Sequence, residues 1–496
     1  MKSRRCIWMS VAYLAAALAT TTQLAAQNNP NNNNHQPSYR LIDLGTFGGP
    51  GSFIPSGPPL LRVLNNQGAV IGLADTTTPD PYSPICLSSE CLIMHGFKWE
   101  NGVKTELDTL AGPNSGGPLA INELGLAVGV SENGSIDPAT GYPAYNAVVW
   151  SRETPVDLGT FGGTDSMTYA VNDWGQVAGW SSNAIPDSYT AGLGPCATLD
   201  CWPVTTQIRA LLWQNGRKQD LGTLGTGNDA AANLINDLGM VGGVSYTNTT
   251  PSDLGIPTQD PFFWLAGRMT DLGTLGSGHY SYPNWMNIWG QMVGASAPAD
   301  SWFHAFFWNG GQMQDLGLPL GGDFSNANWI NDVGQIVGDA SFPGDQTYHA
   351  VLWSHGRPSD LGVVSGAGCS YATTINLVGQ VAGELANCTT GEDVGAFLWQ
   401  NGTMYDLNTL IPPGSGFTVT EVWQINDQGE IAGNAALADG YFHAVLLVPC
   451  GQHDPGNCQN QLLDAGESLH QSPRSQNRVK SVRDPLARFH APRFSR

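Results

Sequence analysis

Short apolar stretches separated by Asn- and Gly-bearing turns recur along this chain with a period of about fifty residues, the signature of a repeat architecture. Each unit starts with an apolar residue, then Asn, then Gly three positions on and a second Gly four further. The eight Asn are Asn65, Asn122, Asn172, Asn236, Asn287, Asn331, Asn376 and Asn426. A second landmark is an apolar run ending in Trp with an acid seven residues later. Trp99, Trp150, Trp213, Trp264, Trp308, Trp353 and Trp399 pair in this way with Glu106, Asp157, Asp220, Asp271, Asp315, Asp360 and Asp406. The spacing between first glycines runs from 44 (Gly290 to Gly334) to 64 (Gly175 to Gly239), so length varies between the landmarks and not within them.

Each unit reads as four short strands. Strand one ends at the Asn, and the Gly three on supplies the positive φ that a tight hairpin needs. Strand two ends near the next Gly, strand three is the run closing on Trp, and strand four ends in an acid-Leu-Gly motif. Asn101-Gly102, Asn215-Gly216 and Asn401-Gly402 mark hairpins between strands three and four. Two residues after the acid stands Gly in six units and Asp108 or Asn408 in the others, which suggests one left-handed bend throughout.

The ends of the array point to its closure. Tyr39 to Gly49 is a strand four with nothing before it, and 417–448 carries strands one to three with no strand four. Three plus one completes an eighth sheet, so the expectation is an all-β fold, an eight-bladed β-propeller of four-stranded blades over 39–449 closed by its N-terminal strand. A β-solenoid is the alternative.

Composition agrees with strands and turns. The 496 residues include 62 Gly and 32 Pro with only 12% charged side chains, a poor basis for surface helices. A formal charge of -21 argues against nucleic acid as a partner. The charge is also divided: residues 40–448 hold 10 basic and 37 acidic side chains, whereas seven of the 20 basic ones lie in the last 29 positions.

The start reads as an export signal over 1–26, with Lys2, Arg4 and Arg5 before the apolar run Ile7 to Leu18 and cleavage after Ala26. An Asn-rich linker expected to be disordered follows over 27–38, and 450–496 reads as a basic disordered tail pinned by a disulfide. No later segment is long and apolar enough to span a bilayer, so the expected product is a soluble monomer, secreted or periplasmic. Eight cysteines beyond Cys6 fall as neighbours along the chain: Cys86 with Cys91, Cys196 with Cys201, Cys369 with Cys388, and Cys450 with Cys458. The even count favours disulfides in an oxidising compartment, although the count alone leaves the connectivity open.

His304-Ala305-Phe306-Phe307-Trp308, the Asp-Leu-Gly-Thr-Leu-Gly runs at 220 and 271, and the Asn-Asp-x-Gly turns resemble the bacterial HAF-type extracellular repeat proteins over about 41–447. The resemblance implies export and a repeat fold, and no activity that transfers residue by residue.

Candidate chemistry is sparse. Loops 75–94, 132–145, 181–208 and 245–260 are long and variable, and their expected common face is the natural place for binding, off-centre towards units one to four. The repeated acid admits a calcium reading, but hydrogen bonding to the bend after it explains it without an ion, and no cofactor is expected. His95, His304, His349 and His443 open strand three in four units without metal-ligand spacing. Trp285, Trp329 and Trp423 stand just before the Asn, where they could stack on a sugar. No catalytic motif is present. The reading is a non-enzymatic exported binding scaffold for a carbohydrate or protein ligand. Its alternatives are a polysaccharide hydrolase or lyase with funnel carboxylates, and a structural cell-envelope scaffold.

Overall fold

In the computed structural model, residues 36–451 are described, apart from 58, 59, 111, 113, 190–203, 254 and 299–301. The export signal, most of the linker and nearly all of the basic tail fall outside the described residues.

The chain is all-β: thirty-two strands and one 3-10 turn, Leu407–Thr409, with no α-helix among the described residues. The strands form four antiparallel sheets of four and two sheets of eight. Each larger sheet consists of two four-stranded runs joined by a single parallel pair, His95 with Gly116 in one and Gln259 with Tyr280 in the other. Unit six shows the common form, in the order Ser325–Ile330, Ile336–Ser341, Tyr348–Ser354, Arg357–Asp360. Burial explains the order. Strand three is apolar on both faces, and Pro143–Trp150 is buried at every position, whereas strand four is polar and Arg217–Asp220 is exposed throughout. The N-terminal strand Tyr39–Asp43 pairs antiparallel with Phe442–Pro449, from Tyr39 opposite Pro449 to Asp43 opposite Val445.

Each repeated Asn does two jobs. Its Oδ1 accepts the N–H four residues on, at 2.8–3.1 Å in all eight units, which closes its own turn. Its Nδ2 donates to the backbone carbonyl of the next unit's Asn at 2.9–3.1 Å. The last of these runs from Asn426 to Asn65, so the eight bonds make a closed circuit. The first Gly of each unit has φ between 71° and 83°, as the turn requires.

The second Gly has a different cause. Strand one shifts register just before the Asn, for instance between Thr168 and Ala170 or between Ala327 and Trp329. This bulge pushes the strand-one backbone against strand two. A Cβ on Gly129, Gly179, Gly243, Gly294, Gly338, Gly383 or Gly433 would lie 1.9–2.1 Å from a strand-one carbonyl oxygen.

One local expectation needs revision. The bend after the acid is left-handed at six glycines, with φ from 58° to 89°, but neither Asp108 nor Asn408 has a positive φ. Asn408 instead sits in the 3-10 turn capped by Asp406, and the Asp108 N–H is drawn to Glu153 O in the following unit. The turn pairs Asn101-Gly102, Asn215-Gly216 and Asn401-Gly402 have positive φ at both residues, and so do Ala266-Gly267 and His355-Gly356. At Ala266 no polar side chain offsets the left-handed backbone, a local cost of about 1–2 kcal/mol.

Unit one interrupts the repeat. Thirteen positions separate Ser52 from Asn65, where six separate Ser166 from Asn172 and Ser325 from Asn331. The extra residues leave the sheet after Gly48–Phe53 and tie to unit eight, since Ile54 N–H donates to Asn434 Oδ1 at 2.7 Å and Val63 and Leu64 N–H both donate to Gln424 Oε1. Leu60 packs on the apolar cluster that holds Trp329, Val337 and Phe397. The insertion therefore links units far apart in sequence.

Candidate functional site

The repeated acids hold the fold's bends. Asp43, Asp157, Asp220, Asp271, Asp315 and Asp360 accept the N–H of the Gly two residues on at 2.6–2.8 Å, and Asp406 accepts that of Asn408. The opening residue of strand three supplies a second donor to many of them. His304, His349 and His443 reach Asp315, Asp360 and Asp43 through Nδ1 at 2.9 Å, Arg209 reaches Asp220, and Asn146 reaches Asp157. Among the described residues no three His, Cys, Asp or Glu side chains gather so as to hold a metal ion.

Unit four breaks this pairing. Asp260 stands where the other units place His, Arg, Asn or, in unit seven, Gly395, and its side chain faces the Asp271 carboxylate. Burial, then the charge of Asp271, pushes the Asp260 carboxyl well above the usual carboxylate range, which favours its protonated form beside Asp271. An acid raised on folding adds stability that is fully present below its unfolded pKa and is lost as pH rises through the folded one. Asp260→Asn keeps a donor and removes the titration. The variant should match the parent's melting temperature at pH 4 and exceed it at pH 8, and equal melts at both would show that the pair carries no such penalty.

Unit one also departs from the pattern, and it holds the cleft that we take as the candidate site. Its acid is Glu106 and the residue two further on is Asp108, so the longer carboxylate is not held by the bend. Glu106 Oε1 lies 2.5 Å from His95 Nδ1 instead. That contact orients the imidazole and leaves Nε2 clear of Glu106. His95 and Asp108 line a cleft of about 630 Å³ together with Thr76, Thr78, Thr109 and Thr154, and Ile93, Leu110 and Pro155 form its apolar walls.

A comparison between units explains why the cleft is open. The residue two before the acid is Lys104 in unit one and Lys218 in unit three, and each fills the gap to the preceding unit. Lys104 Nζ donates to Gly45 O and Thr46 O and lies 4.2 Å from the Phe47 ring centroid, while Lys218 Nζ donates to Thr160 O. In unit two that position is Pro155, shorter than either lysine, as Pro358 is in unit six, so no cation bridges units one and two there. Burial lowers the Lys104 ammonium to about 8, against the pull of Asp43 and Glu106.

The long loops frame this region. Loop 75–94 contributes Thr76, Thr78 and Ile93 to the cleft and is cross-linked by Cys86–Cys91. Cys369–Cys388 closes a loop in unit seven, and Cys450 is disulfide-bonded, whereas Cys196, Cys201 and Cys458 lie outside the described residues. Buried acids stiffen the same loops. Glu132 Oε2 accepts Ser115 N–H at 2.7 Å, and burial pushes its carboxyl up to about 7; Asp165 accepts Tyr145 N–H and is pushed up to about 6, again by burial.

The Trp residues are placed elsewhere. Trp285 and Trp329 stack on each other with ring centroids 3.5 Å apart and 18° between planes, and Trp423 is half-buried against the apolar cluster that runs from unit eight through unit four. None of the three lines the cleft.

Sequence reasoning did not single out Asp108 or the threonines as site residues. The signal was present as two neighbouring departures from the repeat, Glu for Asp at 106 and Asp for Gly at 108.

No family model matches the chain, and no curated protein matches it. Among solved structures it is similar to the β-propeller domain of the Trilobed protease from Pyrococcus furiosus, with 8% identity over 71% of this chain and 96% of that one and a TM-score of 0.38. An ulvan lyase, a polysaccharide lyase, matches at 9% identity over 84% of this chain and all of the other, with a TM-score of 0.38. The six-bladed β-propeller lectin of the fungus Aleuria aurantia, which recognises fucose, matches at 10% identity over 66% and 98% of the two chains, with a TM-score of 0.28.

Proposed function

We propose that the protein is an eight-bladed β-propeller of the HAF-type extracellular repeat kind, closed by Tyr39–Asp43, and that it acts as an exported, non-enzymatic binding scaffold. The circuit of Asn hydrogen bonds and the pairing of Tyr39–Asp43 with Phe442–Pro449 support the ring. The ligand is a carbohydrate, and the observation that carries this reading is the cleft between units one and two. Its volume suits one or two sugar rings. Four threonines, an oriented imidazole and the Asp108 carboxylate offer donors and acceptors to hydroxyl groups, and Ile93, Leu110 and Pro155 offer apolar contact to ring C–H faces.

The test is a glycan array on the full chain beside a reducing-sugar release assay, repeated with His95→Ala and Asp108→Ala. Binding without release is expected, and each substitution should weaken it about tenfold, the loss of one to two hydrogen bonds, with the melting temperature unchanged. Silence of the unaltered protein on every glycan would sink the carbohydrate reading. Sugar release would favour the second reading, a hydrolase or lyase, which the His95–Glu106 pair beside Asp108 specifically supports.

A further inference from the structure

The face that carries the Asn turns has a surface that the cleft does not involve. Two residues after the Asn stand Leu124, Trp174, Leu238, Trp289, Val333 and Val378, each 55–73% exposed. Successive turns are tied together by the Asn circuit, so these side chains form a nearly continuous apolar ring. The indoles bridge it, because Trp174 Nε1 donates to Asp237 O and Trp289 Nε1 donates to Asp332 O in the following units. Apolar surface concentrated in this way on a protein is characteristic of a docking site.

Carboxylates accompany the ring. One residue after the Asn stand Glu123, Asp173, Asp237, Asp332 and Asp427, and one oxygen of each accepts a neighbouring turn's backbone N–H. Among the described residues, Arg62 lies 3.8 Å from Glu123 and Lys98 3.4 Å from Glu100, while Arg152, Arg217, Arg268 and Arg357 stand further out, on the hairpins between strands three and four. Burial raises the Glu123 and Asp173 carboxyls, and neighbouring carboxylates raise them further, as expected where negative charge is incompletely balanced. An occupant of this surface must combine positive charge with apolar side chains.

We propose that the basic segment Ser468–Arg496 of this same chain occupies the ring. It carries seven Lys and Arg against one acid, Asp484, and interleaves them with Val479, Val482, Leu486, Phe489 and Phe494. The chain leaves the fold on the correct side. Strand Phe442–Pro449 ends at the Asn426 turn, where a Cβ on Gly429 would lie 3.7 Å from Pro449 Cγ. With Cys450 disulfide-bonded and Cys458 its expected partner, the ten residues from Cys458 to Ser468 still span about 33 Å when extended, and the 29 residues of the segment itself extend further over successive turns. Basic side chains meet the outward carboxylate oxygens, and Phe and Leu lie on the indoles and aliphatic tips.

Lys480 is the one lysine of the segment, which makes zero-length carbodiimide coupling a direct readout. Coupling of the full-length protein at low salt is expected to join Lys480 to Glu123, Asp173, Asp237, Asp332 or Asp427, independently of protein concentration. Yield should fall at least fivefold in 1 M NaCl, where exposed charges are screened. It should fall similarly in a Trp174→Ser, Trp289→Ser variant whose melt is unchanged. If the indoles prove necessary for folding, Val333→Ser with Val378→Ser removes apolar surface without touching their hydrogen bonds. Links confined to rim carboxylates such as Asp220 or Asp315, or no links above the high-salt level, would overturn the proposal. So would links that grow with protein concentration, since these place the segment on a second copy.

Discussion

Removal of Tyr39–Gly45 is expected to lower the melting temperature by more than 10 °C or to abolish cooperative folding. Tyr39, Leu41, Ile42 and Leu44 are all buried, the first two in one apolar cluster with Leu407, Val419 and Leu447, the last two in another with Leu446. Burying such side chains contributes about 1.5–3 kcal/mol each, so together they approach the whole stability of an ordinary domain, about 5–15 kcal/mol. The loss extends beyond the strand. His443 loses its Asp43 partner, and Lys104, largely withdrawn from water, loses the Gly45 carbonyl, one of the two that receive its ammonium. Strand Phe442–Pro449 becomes an unpaired edge exposing Val445 and Leu447, which favours aggregation. Differential scanning calorimetry of the truncated protein, with and without a synthetic 38–46 peptide, is the measurement. Rescue should scale with peptide concentration, as mass action requires, and an unaltered melt without peptide would contradict a closing role for the strand.

The pairing of Tyr39–Asp43 with Phe442–Pro449 was legible because the acid-Leu-Gly motif of Asp43-Leu44-Gly45 has no partner strands before it, while the last unit lacks that motif. The first Gly of each unit was legible too, since a tight turn after Asn has few chemical solutions. The second Gly was recognised as fixed, but its cause was not, because a bulge in strand one is a property of two strands and Gly338 meets Asn326 O only once they are paired. The same limit hid the second function of the Asn. Its Oδ1 is engaged four residues away and is readable locally, whereas its Nδ2 reaches a carbonyl 44 to 64 positions on, or 361 positions back at the closure.

The cleft was illegible for a related reason. It lies where Pro155 replaces the unit-bridging lysine that Lys104 and Lys218 supply elsewhere, beside strand ends from two units and the loop 75–94, and only three-dimensional neighbours reveal an unfilled gap. Departures from a repeat therefore merited as much weight as the repeat. Asp260, Glu106 and Asp108 each break the pattern, and each changes what its surroundings can do.

The circuit itself predicts the largest effect of a single side chain. Asn331 donates through Nδ2 to Asn376 O and to Gln335 Oε1, both at 2.9 Å, and accepts Gln335 N–H at 2.9 Å through Oδ1. Asn331→Ala leaves the Gln335 N–H without its acceptor and takes one of two donors from Asn376 O, which still accepts Gly379 N–H, so a loss of about 2 kcal/mol and a melt lower by about 2–3 °C are expected. Asn331→Asp separates the two functions. The acceptor survives, but the second oxygen now faces two acceptors in place of a donated bond. The ionised form is disfavoured by burial and by that repulsion, so the folded-state pKa of the introduced acid rises above its unfolded value. Its protonated form can still donate. The penalty is therefore small at pH 4 and grows as pH rises through the folded pKa, which should leave this variant close to the parent at pH 4 and below even the Ala variant at pH 8. Melting curves of the three proteins at both pH values test it. If the Asp variant followed the Ala variant at every pH, the donated bond between units would not be what Asn331 contributes.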